Sequence, residues 1–176
     1  MKKVFLILFI MIFTLSLLLY SEESLNFTGT WKLDPTKSEL QQRADRPTPE
    51  IVLNINQEDD EIKIETVYTT PRGERETEMS LVIGEKEKKI DSPMMGFRRR
   101  PGSDVKSTTI AKAEWSEDGK SLIVTLNTTM STQRGTFSMK TTSIYSLSED
   151  GKTLTEKQIR IFGDRETESV LVYNKV

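Results

Sequence analysis

Nine short segments in which apolar and polar residues alternate restrict the fold of this 176-residue chain more than any other feature. Successive side chains of a β-strand point to opposite faces of a sheet, so this alternation predicts half-buried strands. The spacing leaves no room for the helices that connect parallel strands, and only one short N-terminal helix is predicted, within residues 36–43. The predicted strands are residues 27–34, 50–57, 61–70, 75–83, 107–115, 121–130, 136–147, 153–162 and 166–174.

Turn-forming residues separate these segments. Asp59-Asp60, residues 71–73 and Gly163-Asp164 stand where hairpins need residues that tolerate tight or left-handed backbone. The sequence Ser-Glu-Asp-Gly-Lys at 116–120 recurs at 148–152, and both copies are predicted to be hairpin turns whose glycine has a positive φ. Consecutive hairpins predict an antiparallel meander.

The predicted strands carry one apolar face and one polar face, as in the Ile51, Leu53 and Ile55 series. A sheet closed on itself buries one face and removes the exposed edges of an open meander. We therefore expect an antiparallel meander closed into a β-barrel of eight to ten strands. A two-sheet sandwich is the alternative, but it needs longer connections than most of these hairpins offer. The barrel interior either is filled by side chains or leaves room for one small ligand.

Composition excludes several classes of chemistry. The chain contains neither cysteine nor histidine, which removes Ser-His-Asp and Cys-His catalysis, zinc held by imidazole or thiolate, and disulfides. A net charge of −2 without a basic stripe argues against a nucleic-acid partner. The acidic runs at 59–61 and 117–118 lie in predicted hairpin turns. This position indicates a role in turn geometry and not in catalysis. We expect no enzyme activity, no metal and no cofactor.

The N-terminus has the features of an export signal. Lys2 and Lys3 precede an apolar run over residues 4–20 that is interrupted only by Thr14 and Ser16. We expect a signal peptide at 1–21 and a barrel domain at 22–176, with the protein periplasmic or secreted. An uncleaved N-terminal anchor is the alternative.

The chain opens its first predicted strand with Gly-Thr-Trp-Lys-Leu-Asp at 29–34, continues with Lys37-Ser38, and ends with Asp-Gly-Lys-Thr-Leu-Thr at 150–155 and a terminal Val-Tyr. In these motifs it resembles small exported bacterial lipocalin-like proteins of unassigned function, within the calycin group. The resemblance implies a lipocalin-like β-barrel in which Gly29 and Trp31 have structural roles. It also implies that a late-strand arginine covers Trp31 by a cation–π contact, with Arg160 the first candidate and Arg165 the second.

A ligand inside such a barrel would meet residues of the apolar face. The expected lining is Tyr68, Met79, Met139 and Tyr145, and Arg160 is expected either to close the base or to pair with an anionic ligand group.

The sequence of residues 153–162 does not decide which face of this strand points into the barrel. One face carries Leu154, Glu156, Gln158 and Arg160, and the other carries Ile159 and Ile161. If the first face points inward, polar groups enter the barrel and need partners, because an unpaired buried charge is costly. If the isoleucines point inward, these charges lie outside. Thr141 and Ser143 are further positions for polar specificity.

The segment 91–104 combines apolar and cationic residues. It is either a solvated insertion or a lid over the barrel that could hold an anionic group or touch a membrane surface. The candidate lid residues are Met94, Met95, Phe97, Arg98, Arg99 and Arg100.

These features predict an exported lipocalin-like binding protein that holds a small, at least partly apolar or amphipathic ligand inside a β-barrel. The alternative is a non-catalytic envelope or interaction protein that uses the barrel as a scaffold for the 94–100 loop. Membrane contact is expected only through the signal segment or through Arg98–Arg100.

Overall fold

A computed structural model describes residues 25–40, 48–71, 73–90, 106–133 and 135–176. Within these ranges the chain forms strands, turns and extended segments, and no helix there is long and apolar enough to span a bilayer. The ten strands are β1 (Gly29–Leu33), β2 (Glu50–Glu58), β3 (Glu61–Thr70), β4 (Gly73–Val82), β5 (Lys88–Ile90), β6 (Lys106–Trp115), β7 (Leu122–Thr132), β8 (Gly135–Leu147), β9 (Thr153–Phe162) and β10 (Arg165–Lys175).

All ten strands belong to one antiparallel sheet of order β4-β3-β2-β1-β10-β9-β8-β7-β6-β5. The first and last strands of the chain are neighbours, and every other pair of neighbours is consecutive in sequence. The two ends of the sheet meet where Ile83, just after β4, bridges Ala113 of β6, and the Gly84 amide donates to the Ala113 carbonyl at 2.8 Å. The sheet is therefore a nearly closed barrel, which confirms the predicted all-β meander.

One end of the barrel is closed by its own side chains. Phe27, Trp31, Leu122 and Leu154 are fully buried there. Hydrogen bonds hold the segment before β1 at this closed end: the Trp31 indole donates to the Phe27 carbonyl at 2.9 Å, and the Phe27 amide donates to Gln57 Oε1 at 3.1 Å.

The opposite end of the barrel carries the β3–β4, β7–β8 and β9–β10 hairpins. Burial falls off toward this open end, and the first four residues of both β4 and β8 are exposed. The core therefore fills the closed end, whereas the interior nearer the open end retains free volume.

One local prediction was wrong, and one strand was not predicted. The strand β5 was not predicted, because its three residues are too few to show alternation and are held by pairing with β6. Residues 36–40 of the predicted helix form a turn and a bridge, since Glu39 exchanges backbone hydrogen bonds with Val170 of β10 at 2.7 and 3.2 Å. The remainder of that predicted helix, residues 41–43, lies outside the described ranges.

The repeated five-residue sequence forms two equivalent hairpin turns. In the first, the Asp118 carboxylate accepts from the Ser116 hydroxyl at 2.6 Å and from the Lys120 amide at 3.1 Å. The second copy repeats both distances with Ser148, Asp150 and Lys152. The glycines that follow the aspartates have φ of +68° and +65°. This confirms the predicted structural role of the repeat.

Candidate functional site

A cavity of about 270 Å³ occupies the barrel interior between the closed end and the open end. Its volume lies just below the range of about 300–1,000 Å³ that small-molecule sites usually have. Apolar side chains from strands on opposite sides of the barrel form most of the wall, among them Ile51, Ile64, Val124, Leu126 and Leu171. Every second residue of a strand points inward, so the alternation seen in the sequence supplies this wall.

The five residues predicted to line a ligand site lie together on the wall of this barrel cavity. Tyr68 comes from β3, Met79 from β4, Met139 and Tyr145 from β8, and Arg160 from β9. The structure brings these distant segments of the sequence to one space. That a ligand occupies this space stays a prediction.

The inward face of β9 is the polar one. Leu154 is fully buried, Glu156 is 5% exposed, and Gln158 and Arg160 line the barrel cavity, whereas the Ile161 side chain is 38% exposed. Of the two orientations that the sequence left open, the structure has the one that brings charged groups into the barrel. Thr141 and Ser143 line the same cavity, as the sequence suggested.

The Glu156 carboxylate accepts four hydrogen bonds inside the barrel. Ser143 Oγ donates to Oε1 at 2.7 Å, Gln158 Nε2 donates to it at 3.1 Å, and the Tyr145 hydroxyl donates to it at 3.3 Å. The Tyr173 hydroxyl donates to Oε2 at 3.0 Å. All four donors are neutral, and Glu156 forms no ion pair within the ranges that the structure describes. The cavity thus contains a buried carboxylate held by hydrogen bonds alone.

Burial and the Glu156 charge shift the acidity of the surrounding phenols. Both raise the pKa of Tyr145 and of Tyr173 well above 10.0, with burial the larger cause. Burial and the Glu156 charge also raise the pKa of Tyr68, and the Arg160 charge offsets part of this rise. These three phenols are therefore neutral at physiological pH.

The expected contact between Arg160 and Trp31 is wrong. Arg160 pairs with Thr167 of β10, whereas Trp31 pairs with Lys175, eight residues further along the same strand. At about 3.3 Å per residue this separation is roughly 26 Å. Arg165 lies further still from Lys175 along β10. The cation over Trp31 is instead Lys175, whose Nζ lies 5.1 Å from the ring centroid.

Two aromatic residues mark the open end and were not predicted as part of a site. The rings of Phe137 and Phe162 stack with centroids 6.3 Å apart, although the residues are 41% and 46% exposed. They border a shallow hollow of about 620 Å³ that Lys140 and Ile161 also line. Their apolar character was visible in the sequence, but their exposure depends on where β8 begins and where β9 ends.

The candidate lid residues 94, 95 and 97–100 lie outside the described ranges. Across the described part of the chain, no group of three or more acidic side chains is placed to hold a metal ion. Of the acidic residues considered for catalysis, Asp59, Asp60, Glu117 and Asp118 lie in turns, and Glu61 is the first residue of β3. Asp118 accepts a hydrogen bond from the Lys120 amide of its own hairpin. The barrel cavity is therefore the candidate functional site.

Sequence reasoning missed the central place of Glu156 and the part that Tyr173 has in holding it. A signal for both was present. The predicted turn at 148–152 sets the register in which Leu147 pairs with Leu154. Two residues further from the turn on each strand, Tyr145 pairs with Glu156. An inward Tyr145 therefore implies an inward Glu156.

No model of a known protein family and no curated protein sequence matches this chain. Among solved structures it is similar to the REP1-NXSQ fatty acid transporter, at 13% identity and a TM-score of 0.50 over 85% of this chain and 95% of that one. It is similar to zebrafish ileal bile acid-binding protein complexed with cholic acid, at 16% identity and a TM-score of 0.51 over 85% and 98%. Secretory abundant heat soluble protein 4 from Ramazzottius varieornatus aligns at 14% identity and a TM-score of 0.45 over 85% and 94%. The first two likenesses show that the chain has a calycin-like β-barrel fold.

Proposed function

We propose that this protein is a non-catalytic binding protein that holds a small, partly apolar molecule in the barrel cavity. The observation that carries the proposal is the cavity itself, which is enclosed by apolar and methionine side chains and contains a few converging polar groups. Sites with this combination bury the apolar part of a ligand and orient it through hydrogen bonds. The fatty acid and bile acid named for the two similar barrels make amphipathic molecules the first probes to use.

Native mass spectrometry of the protein expressed as the full chain tests the proposal. We expect an added mass that disappears on denaturation, or a one-to-one complex when a ten-carbon alcohol or fatty acid is added. A chain that carries nothing and takes up none of these probes would contradict a binding function.

A matched pair of variants tests whether the binding site is the barrel cavity. Leu126 points into the cavity, whereas Thr125, its neighbour on β7, points to the outer face. Leu126→Trp fills part of the free volume and is expected to weaken probe binding at least tenfold, whereas Thr125→Trp is expected to change it less than about twofold. Circular dichroism is the check that both variants fold. Equal binding by the two variants would locate the probe elsewhere.

We also propose that the protein is exported and acts outside the cytoplasm. Lys2, Lys3 and the apolar run at 4–20 support this proposal. Expression of the full chain in a bacterial host, followed by fractionation and N-terminal sequencing, tests it. We expect a periplasmic or secreted product that begins near residue 22. A cytoplasmic product that keeps Lys2 and Lys3 would overturn this part of the proposal.

A further inference from the structure

We propose that the ligand of the barrel cavity carries a positively charged nitrogen and that the Glu156 carboxylate binds it. This inference rests on the proposed binding function and specifies the chemical class of the ligand, an amphiphile with an ammonium group. It starts from the charge balance of the cavity.

Glu156 is a buried carboxylate without a cationic partner in the described part of the chain. Its side chain is 5% exposed, and all of its hydrogen-bond donors there are neutral hydroxyl or amide groups. Burying a charge is costly, and neutral hydrogen bonds offset only part of that cost. A ligand that brings a positive charge to Glu156 supplies the missing counter-charge. A ligand carboxylate at the same place would add a second negative charge.

The two oxygens of the carboxylate are unequally hydrogen-bonded. Oε1 accepts three hydrogen bonds, whereas Oε2 accepts a single one within the described residues, from the Tyr173 hydroxyl. A carboxylate oxygen accepts more than one hydrogen bond, so Oε2, with two donors fewer than Oε1, retains capacity for a further donor. Glu156 lines the barrel cavity, so its side chain borders the space that a ligand would fill. An ammonium group, which has only donors, fits this capacity of Oε2.

Three tyrosines around Glu156 favour the same kind of ligand. Tyr68, Tyr145 and Tyr173 come from three different strands, and all three line the barrel cavity. Aromatic faces attract cations, and the attraction grows when water is excluded. An ammonium group at Glu156 is therefore bordered by aromatic side chains, two of which also direct their hydroxyls at the carboxylate.

Arg160 limits where the charged end of the ligand lies. It is the only cationic residue on the cavity wall within the described ranges, and it is on the same face of β9 as Glu156, four residues closer to the open end. Four residues of strand span about 13 Å. The positive end of the ligand is therefore expected at Glu156, away from Arg160. An anionic amphiphile would bind in the opposite sense, with its carboxylate at Arg160.

Isothermal titration calorimetry with three ten-carbon probes tests the inference. Decylamine, decanol and decanoate share one apolar chain and differ in the charge of the head group at pH 7. We expect decylamine to bind at least about tenfold more tightly than either of the others, as one charge-assisted hydrogen bond in a dry site would give. Affinities for decanol or decanoate equal to that for decylamine, or greater, would overturn the inference.

Two isosteric variants locate the effect. Glu156→Gln removes the buried charge, and Glu168→Gln removes the same charge from the outer face of β10, where Glu168 pairs with Lys157 at 2.8 Å. We expect the first variant to reduce the preference for decylamine over decanol at least tenfold and the second to leave it within about twofold. A preference that persists in folded Glu156→Gln protein would show that Glu156 is not the partner. The comparison of probes on the unaltered protein holds even if that variant does not fold.

The outcomes separate this inference from the proposed function. Binding of decanol or decanoate without a preference for the amine leaves the binding function intact and removes only the charge assignment. Failure of all three probes contradicts both.

Discussion

The Tyr173 hydroxyl of β10 donates to Oε2 of Glu156 on β9 at 3.0 Å, at the inner end of the barrel cavity. The other carboxylate oxygen is held by Ser143 and Tyr145 of β8, together with Gln158 of β9. One carboxylate thus joins three neighbouring strands. Its oxygen Oε1 accepts three hydrogen bonds, whereas Oε2 accepts one.

This inequality predicts different costs for two similar substitutions. Tyr173→Phe leaves Oε2 without its donor, and we expect a loss of about 1.5–3 kcal/mol in the free energy of unfolding, as for other hydrogen bonds to charged groups. Tyr145→Phe leaves two donors on Oε1, and the bond it removes is longer, at 3.3 Å. Its expected cost is below about 1 kcal/mol. Urea unfolding at pH 7 measures the loss in the free energy of unfolding for each variant. Equal losses would contradict the unequal hydrogen bonding of the two carboxylate oxygens.

A second prediction concerns Gly29, at the closed end. Its φ is +154°, and a Cβ there would lie 2.9 Å from Cε of Lys175. The lysine end is flexible and can move, so we assign the cost of Gly29→Ala to backbone strain, about 1–3 kcal/mol. Lys175→Ala removes the cation over Trp31 and is expected to cost about 0.5–1 kcal/mol.

The double variant separates strain from steric contact. We expect Gly29→Ala combined with Lys175→Ala to be at least as unstable as Gly29→Ala alone, because removing the lysine does not change φ. Recovery of stability in the double variant, measured by urea unfolding, would show that the close contact carries the cost.

Most of the strand plan could be predicted from sequence because its signals are local. Alternation shows which residues share a face, and aspartate and glycine mark the turns. The strand β5 and the bridge at Glu39 were missed because distant residues create them, in β6 and in β10 respectively. No property of the segment at 36–40 by itself opposes a helix. It forms a turn and then a bridge instead, because Val170 of β10 offers hydrogen-bond partners to Glu39.

The lining of the cavity could be predicted better than its polar chemistry. Tyr68, Met79 and Met139 follow from alternation alone, since a single face of each strand is apolar. The segment 153–162 has apolar residues on both faces, so only its register with β8 decides that Glu156 points inward. The partner of Trp31 was misassigned because the resemblance implies an arginine there, whereas the pairing of β1 with β10 brings Lys175.

Acid stability is expected to depend on Asp34, which follows β1. Its carboxylate accepts from the Thr36 hydroxyl at 2.6 Å and from the Asn174 amide at 3.1 Å, and these bonds hold its pKa well below the ordinary 3.8. A depressed pKa stabilises the folded chain above about pH 4, and that contribution is lost as the pH falls through the folded-state pKa. We expect Asp34→Asn to be less stable than the unaltered chain at pH 7, with the difference shrinking below pH 4.

Urea unfolding at pH 7, 4 and 2.5 measures this dependence. Thr36→Val is the informative control, because it removes the largest cause of the shift and leaves the carboxylate in place. It is expected to raise the pKa of Asp34 and to narrow the acid range in which stability falls. A difference between Asp34→Asn and the unaltered chain that is the same at all three pH values would refute the assignment.

Alkaline stability is expected to depend on the phenols around Glu156. The pKa of Tyr145 and of Tyr173 is raised above 10.0 in the folded chain by burial and then by the Glu156 charge. The stabilisation linked to these raised values is fully present below pH 10, where tyrosines of the unfolded chain are still neutral, and is lost as the pH rises further. Both phenols should therefore stay neutral until the barrel unfolds, so absorbance at 295 nm and circular dichroism should change in one transition above pH 10. In Glu156→Gln protein the second cause is absent, and the pKa of the folded-state phenols should be lower. Ionisation of both tyrosines near pH 10 in a barrel that is still folded would contradict their burial.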